Sequence, residues 1–342
     1  SRLGHVGDSY QMTQWYPKPA VYDRYGWHPM PYLNMGEFFS EFGNFDVKIT
    51  LPKNYVVGAT GVLQNKEETA FLMEKVKMTN QIIKDDAFGK SVKNDSFPPS
   101  SSELKTIQYK AEKVHDFAWF ADKRFYVQKS EVSLASGQKV DTWTMFTNYE
   151  ADIWTKAIDY VNRSVLYYSE RVGEYPYPHA TAVQSALSAG GGMEYPMITV
   201  IGPSRTARSL DNVITHEVGH NWFYGILGSN ERLHPWMDEG INSMNENRYI
   251  ETKYPNQKLI GSDSVAKKSV FRFFDLAHHK HKASYELTYL INARRNLDQP
   301  IEYPAAEYSP LNYGGIVYSK TALVFDYLMA YLGEELYDKC MQ

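Results

Sequence analysis

Cysteine is nearly missing from this chain. Its 342 residues include one, Cys340, which excludes an intrachain disulfide and a cysteine-based zinc site. Long apolar runs are missing too: mean hydropathy is −0.48, and no run approaches the roughly 18 residues a membrane helix needs. Positive charge is not in excess. With 36 basic and 40 acidic residues the net charge is −4, against the basic surplus that nucleic-acid binders carry. No polybasic stripe or lipidation signal marks a membrane-surface protein. The chain opens at Ser1 with neither an initiator methionine nor an apolar signal core, which reads as a trimmed or processed start. Apolar and aromatic material, by contrast, is plentiful: 43% hydrophobic, 15% aromatic and 27 tyrosines. That is enough for a packed core and rules out disorder or a fibrous repeat. The length suggests about two domains.

The first third reads as β. Residues 45–51 alternate apolar and polar at period two, the mark of a half-buried strand. A turn at residues 52–54 leads to a second β-rich run over 55–63, and another alternation places Ile107, Tyr109 and Ala111 on one face. Between these the pattern suggests a helix over 68–88, followed by a Ser- and Pro-rich loop at 94–103. A change of texture follows. Apolar residues at 154, 157, 158, 161, 165 and 168 keep the spacing of a helix against a core. An extended segment over 180–200 contains the run Gly190-Gly191-Gly192. Helices are expected at 210–227 and 236–254 and through most of the remainder, ending with 320–336. Strands followed by helices predict two domains of α+β class, divided as 1–125 and 126–342.

One segment carries chemistry: His216-Glu217-Val218-Gly219-His220. On a helix, positions 216 and 220 lie about 40° apart, so both imidazoles project from one face, and Glu217 sits about 100° round from His216. Two neutral nitrogens and a nearby carboxylate suit a zinc ion and the water it holds. A third ligand is needed. Glu239, 19 positions after His220, lies where a first helix can end, turn and return with a carboxylate. Two histidines and one glutamate leave a fourth position for water, as a catalytic site requires. Glu246, seven positions further on, belongs either beside a ligand histidine or in a surface ion pair. The histidines at 278, 279 and 281 sit among lysines without a carboxylate partner, and are read as a solvated loop.

The motif His-Glu-x-x-His, eighteen intervening residues and Glu resembles the aminopeptidase N family of zinc metallopeptidases, the gluzincin aminopeptidases. Gly191-Gly192-Met193-Glu194-Tyr195 is similar to that family's Gly-x-Met-Glu-Asn exopeptidase motif, and Tyr318-Ser319-Lys320-Thr321 to its Tyr-x-Lys-Gly segment. Weaker likenesses fall at residues 116–119 and 175–178. The resemblance runs from about residue 45 to the C-terminus and is strongest over 175–250. It implies a β-sandwich-like N-terminal domain followed by a thermolysin-like zinc peptidase domain, a small β-sheet plus helices. It also implies one Zn2+ ion on His216, His220 and Glu239, with Glu217 as general base and then acid. Tyr318 would donate to the oxyanion of the tetrahedral intermediate. Glu194 would bind the substrate's free α-ammonium, with Gly191, Gly192 and Met193 lying against the peptide backbone.

The pattern departs in places. Tyr195 stands where the family has Asn, and Thr321 where it has Gly. Family members usually have a fuller N-terminal domain and a helical C-terminal domain, so the chain is expected to be a fragment lacking part of the first and all of the last. The partners implied are peptides with a free N-terminus, with no nucleic acid and no membrane-spanning segment. Oligomeric state is not legible. The absent initiator Met and the digestive logic of such peptidases point toward an exported or periplasmic setting, without assigning one. Two alternatives stay open: a thermolysin-like endopeptidase that shares the zinc site, and an inactive peptide-binding scaffold.

Overall fold

The computed structural model describes residues 2–31, 33, 35–85, 88–89, 96–187, 190–256, 258–259 and 279–342. The chain forms two compact units: Ser1–His28 with Ser40–Asn221, and Pro29–Phe39 with Trp222–Gln342. The first unit holds the strands together with four helices, and the described residues of the second are mainly helical, so the fold class is α+β, as the order of patterns predicts.

In the first unit the chain lays down β1 (Gly4–Val6), β2 (Ser9–Met12), β3 (Val21–Asp23), β4 (Gly26–His28), β5 (Gly43–Pro52), β6 (Val56–Ala59) and β7 (Val62–Leu63). Helix α1 (Lys66–Ile82), β8 (Leu104–Val114), β9 (Trp119–Asp122), β10 (Tyr126–Ser133) and β11 (Lys139–Phe146) follow. The alternating run over 45–51 lies in β5, paired antiparallel with β8 so that Ile49 faces Ile107. Ile107, Tyr109 and Ala111 are buried together, as alternation requires. The β-rich run over 55–63 is two strands rather than one. Gly61, at φ +87°, breaks it where an added Cβ would lie 2.5 Å from the Lys110 carbonyl oxygen.

The unit continues with α2 (Ala151–Trp154), α3 (Ala157–Arg171), β12 (His179–Gln184), β13 (Gly192–Tyr195), β14 (Ile198–Ile201) and α4 (Ala207–Gly219). Five strands form one sheet in the order β10-β11-β12-β14-β13, with β11–β12 and β12–β14 parallel and β13 antiparallel to β14 at the edge. Helix α3 buries Ala157, Tyr160, Val161, Ser164, Val165 and Tyr168, a stripe at i, i+3, i+4 spacing. Its Ser164 hydroxyl meets the Thr215 hydroxyl of α4 at 2.8 Å, which fixes one helix against the other deep in the unit. The four-stranded sheet β1-β2-β9-β6 backs onto this layer. An added Cβ on Gly58 would lie 2.8 Å from the Met145 sulfur, and Phe120 packs beside Tyr195. The 125/126 division expected from composition falls between β9 and β10, inside this unit.

In the second unit a π-helical turn, Trp236–Gly240, runs into α5 (Ile241–Lys253). Helix α6 (Ala283–Ala293) follows, then a π-helical stretch, Tyr313–Lys320, that runs into α7 (Thr321–Leu332), and α8 (Glu334–Met341) closes the unit. Arg248 of α5 holds α8 through Glu334 and Asp338, each at 2.8 Å. The early segment Pro29–Phe39 is tied in by backbone donors: Gly36 N–H to the Tyr313 hydroxyl at 3.0 Å, and Phe38 N–H to Glu231 at 2.7 Å. Among the described residues no helix is long and apolar enough to cross a membrane.

Candidate active site

Helix α4 begins at a capping residue, Thr206, whose side chain accepts the Ser209 N–H at 3.1 Å. It ends at Gly219, with His220 as the capping residue, instead of continuing to 227. Beyond that end Tyr224 lies in the left-handed region at φ +78°, which no continuous helix to 227 could contain. His216 and His220 project from the same face, as their spacing predicts. Their Nε2 atoms stand 3.2 Å apart, with ring centroids separated by 4.8 Å and the planes nearly perpendicular. Two nitrogens so placed share one point in space. Ligands of a tetrahedral zinc ion with bonds of about 2.0–2.1 Å stand about 3.3 Å apart, so the pair fits that ion.

Glu217 is buried and points toward β13. An added Cβ on Gly192 would lie 2.4 Å from the Glu217 Oε1 and 2.6 Å from its Cδ and Cγ. The missing side chain at 192 is therefore filled by the Glu217 carboxylate itself. Successive side chains of a strand alternate faces, so Glu194 shares this face with Gly192, while Met193 and Tyr195 turn to the other. Met193, Glu194 and Tyr195 are all buried. Gly191 has open space where a side chain would be, and its carbonyl accepts the Gly202 N–H at 2.9 Å. Among the described residues β13 is the edge of its sheet, with β14 its one neighbour, which suits the addition of an extended peptide.

In the second unit the π-helical turn carries Glu239 and the π-helical stretch carries Tyr318. Such widened turns concentrate at functional positions because they aim side chains that a regular helix would not. The Tyr318 hydroxyl donates a short hydrogen bond to Glu239 Oε1. Burial first, and then the Glu239 charge, push the Tyr318 phenol well above its ordinary pKa, so it remains a donor at neutral pH. Gly240 and Thr321 lock the two π segments together: an added Cβ on Gly240 would lie 2.4 Å from Thr321 Cγ2 and 2.6 Å from the Val317 carbonyl oxygen. The Thr321 hydroxyl donates to the Ile316 carbonyl at 3.0 Å, closing the stretch that presents Tyr318. Glu246 is buried and accepts from the Tyr285 hydroxyl at 3.3 Å, so it is not a surface ion pair.

Sequence reasoning missed two carboxylates that stand beside Glu239. Glu37, Glu231 and Glu239 bring carboxylate oxygens within 4.8 Å of one another. No motif marks Glu37, which lies far upstream and joins the cluster only because Pro29–Phe39 packs into the second unit. Like charges this close need donors or a cation nearby; Phe38 N–H and the Tyr318 hydroxyl are two such donors. Of the three lysine-flanked histidines, His278 lies outside the described residues, His279 is exposed and His281 stacks edge-on with Tyr285.

A histidine pair spaced for one metal ion in the first unit, and a buried carboxylate–tyrosine pair in the second, are the groups through which each unit offers chemistry. The chain belongs to peptidase family M1: that family's domain matches residues 149–342, more than half of the sequence. Among solved structures it is similar to the M1 zinc metallopeptidase from Deinococcus radiodurans, with a TM-score of 0.57 and 14% identity over 89% of this chain and 56% of that one. A mutant of the Deinococcus radiodurans enzyme bound to a Tyr-Ser-Ala substrate is similar to the same extent, with a TM-score of 0.56, 15% identity, and coverage of 89% and 56%. At such identities the likeness speaks for the fold. The chain spans a little over half the length of these structures.

Proposed function

We propose that this chain carries the catalytic machinery of a zinc aminopeptidase, one that removes single residues from the free N-termini of peptides. His216, His220 and Glu239 would hold one zinc ion, which when bound would supply Lewis acidity to the scissile carbonyl and to water at near-neutral pH. Glu217 takes the water's proton and later passes it to the leaving amine, acting as base and then acid. Tyr318 donates its phenolic proton in a hydrogen bond to the developing oxyanion, a role for which its raised pKa suits it. Glu194 binds the substrate's α-ammonium and so limits cleavage to one residue. Gly191, Gly192 and Met193 offer the β13 edge to the peptide backbone. In this reading residues 126–342 are the catalytic domain and residues 1–125 the β-domain.

The observation that carries this reading is the Glu217 carboxylate resting on Gly192, on the face of β13 that also bears Glu194. The base, carried by α4, thus lies against the same face of the short strand that carries the amine anchor. The test uses one peptide in two forms, free and N-acetylated, incubated with zinc-loaded protein and followed by mass spectrometry. Stepwise loss of N-terminal residues from the free form alone is the expected result. Internal cuts in both forms would establish an endopeptidase instead, and no cuts a scaffold; either would reject aminopeptidase action.

A further inference from the structure

The connection between β13 and β14 is two residues, Pro196 and Met197, between the paired Tyr195 and Ile198. Proline presets the first position of such a turn, and the second needs positive φ, a place for Gly or Asn. Here it is methionine, at φ +65°. A side-chain-bearing residue keeps that conformation only where its surroundings over-determine it. Those surroundings centre on Asn221, the buried residue after His220. Its Oδ1 accepts the Met197 N–H at 3.1 Å and the Tyr175 O–H at 3.3 Å. Its Nδ2 donates to the Val218 carbonyl at 3.0 Å, inside the His216–His220 segment. The Met197 carbonyl in turn accepts the Thr181 N–H of β12 at 2.9 Å. One amide therefore joins the end of the histidine-bearing helix to the turn that closes the Glu194 strand. Tyr195, buried beside Phe120, leaves no side-chain amide on the strand end itself.

We propose that Asn221 is a positioning residue for recognition of the substrate's N-terminus: it sets where Glu194 stands relative to the His216–His220 pair, through the Met197 turn. The functional part rests on Glu194 being the amine anchor. The clamp itself does not.

The test compares Asn221→Leu, which keeps the size but loses the acceptor, with Asn221→Asp, which keeps the acceptor. Hydrogen exchange over residues 192–201 reads the clamp, metal analysis reads zinc content, and kinetics on a free-amine peptide separate KM from kcat. In Asn221→Leu we expect exchange at the Met197 amide at least roughly tenfold faster and KM raised roughly tenfold, the size of one lost buried hydrogen bond. Zinc should stay at one per chain and kcat within about threefold, because no group that touches the reacting atoms has moved. Asn221→Asp, which keeps the acceptor for Met197 but gives up the donor to Val218, should keep exchange at the Met197 amide near wild type. Unchanged exchange in the Leu variant, or equal damage in both variants, overturns the proposal. Should the Leu variant not fold, Asn221→Ser, whose hydroxyl is too short to reach Met197, is read the same way. If wild-type protein cuts free and acetylated peptides alike, the amine reading fails by itself, while exchange still decides whether Asn221 clamps the turn.

Discussion

Replacing Gly192 by alanine puts a methyl group where the Glu217 carboxylate now lies. The new carbon would stand 2.4 Å from Oε1 and 2.6 Å from both Cδ and Cγ, about 1 Å inside ordinary contact. The backbone at Gly192 is held by its pairing with Ile201 of β14, so the flexible glutamate side chain is what moves. A rotamer change of that kind costs about 0.5–1.5 kcal/mol, which shifts the melting temperature by a few degrees at most. Turnover is another matter. A general base moved off its water forfeits its contribution, typically about 100- to 10,000-fold, and Glu217→Gln sets the floor to which Gly192→Ala should fall. Gly191→Ala is the control for the base: that position has nothing within 4 Å of an added Cβ, so Glu217 keeps its place and any loss should fall on KM rather than kcat. Steady-state hydrolysis of a short free-amine peptide, with zinc content measured on the same samples, reads all three variants. Gly192→Ala turning over within about threefold of wild type would falsify the contact as the device that aims Glu217.

Four further outcomes are expected. Glu194→Ala should weaken hydrolysis of free-amine peptides far more than any residual cleavage of blocked ones; equal losses would remove the exopeptidase assignment. Gly240→Ala meets the Val317 carbonyl oxygen at 2.6 Å, an atom of the backbone that cannot swing aside. It should cost about 1–3 kcal/mol in a thermal melt and loosen zinc in a chelator competition, through displacement of Glu239; wild-type affinity would refute that link. Chelation should abolish turnover and lower the melting temperature, because a ligand that binds only the folded state stabilises it in proportion to its occupancy. Stability should also fall with acid. Burial foremost holds buried His115 well below the ordinary histidine pKa, with Lys18 adding to it, and burial likewise lowers His179. Their neutral forms favour the folded state fully above about pH 6.5, the unfolded value. That contribution is lost as pH falls toward the depressed folded values, at no more than about 1.4 kcal/mol per pH unit for each histidine. Unfolding midpoints from pH 7.5 to 5.5 should show this, and His115→Leu should flatten the acid limb.

Much of the architecture was legible because it depends on periodicity. Alternation located β5 and β8, and the i, i+3, i+4 stripe located α3, shifted by a few residues because α2 forms a separate short turn before it. The pairing of His216 with His220 followed from helical geometry alone. What periodicity cannot carry is handedness and phase. Tyr224 lies in the left-handed region, which excludes the expected continuous helix to 227, and α4 has already ended at Gly219. The π segments around Glu239 and Tyr318 hold a spacing pattern as readily as a regular helix does, and nothing in composition announces them. Glu37 and Asn221 were invisible for a different reason: their roles come from neighbours distant in sequence or from a single amide's bonding. Gly192 was legible as a place for close approach, but the group that approaches it, Glu217, was not.

The two π segments bear on how this site can change over time. A π turn holds one residue more than the α turn it replaces, so it rotates everything beyond it by about 100° relative to a regular helix. Glu239 and Tyr318 owe their aim to that offset as much as to their own side chains. Substitution can alter what stands at either position, but it cannot cancel the offset; only loss of a residue does that. A one-residue deletion within 236–240 would leave a better helix and turn α5 by more than a quarter of a revolution. The aim of these two groups is therefore written in the length of the chain, and drift by point mutation leaves it untouched.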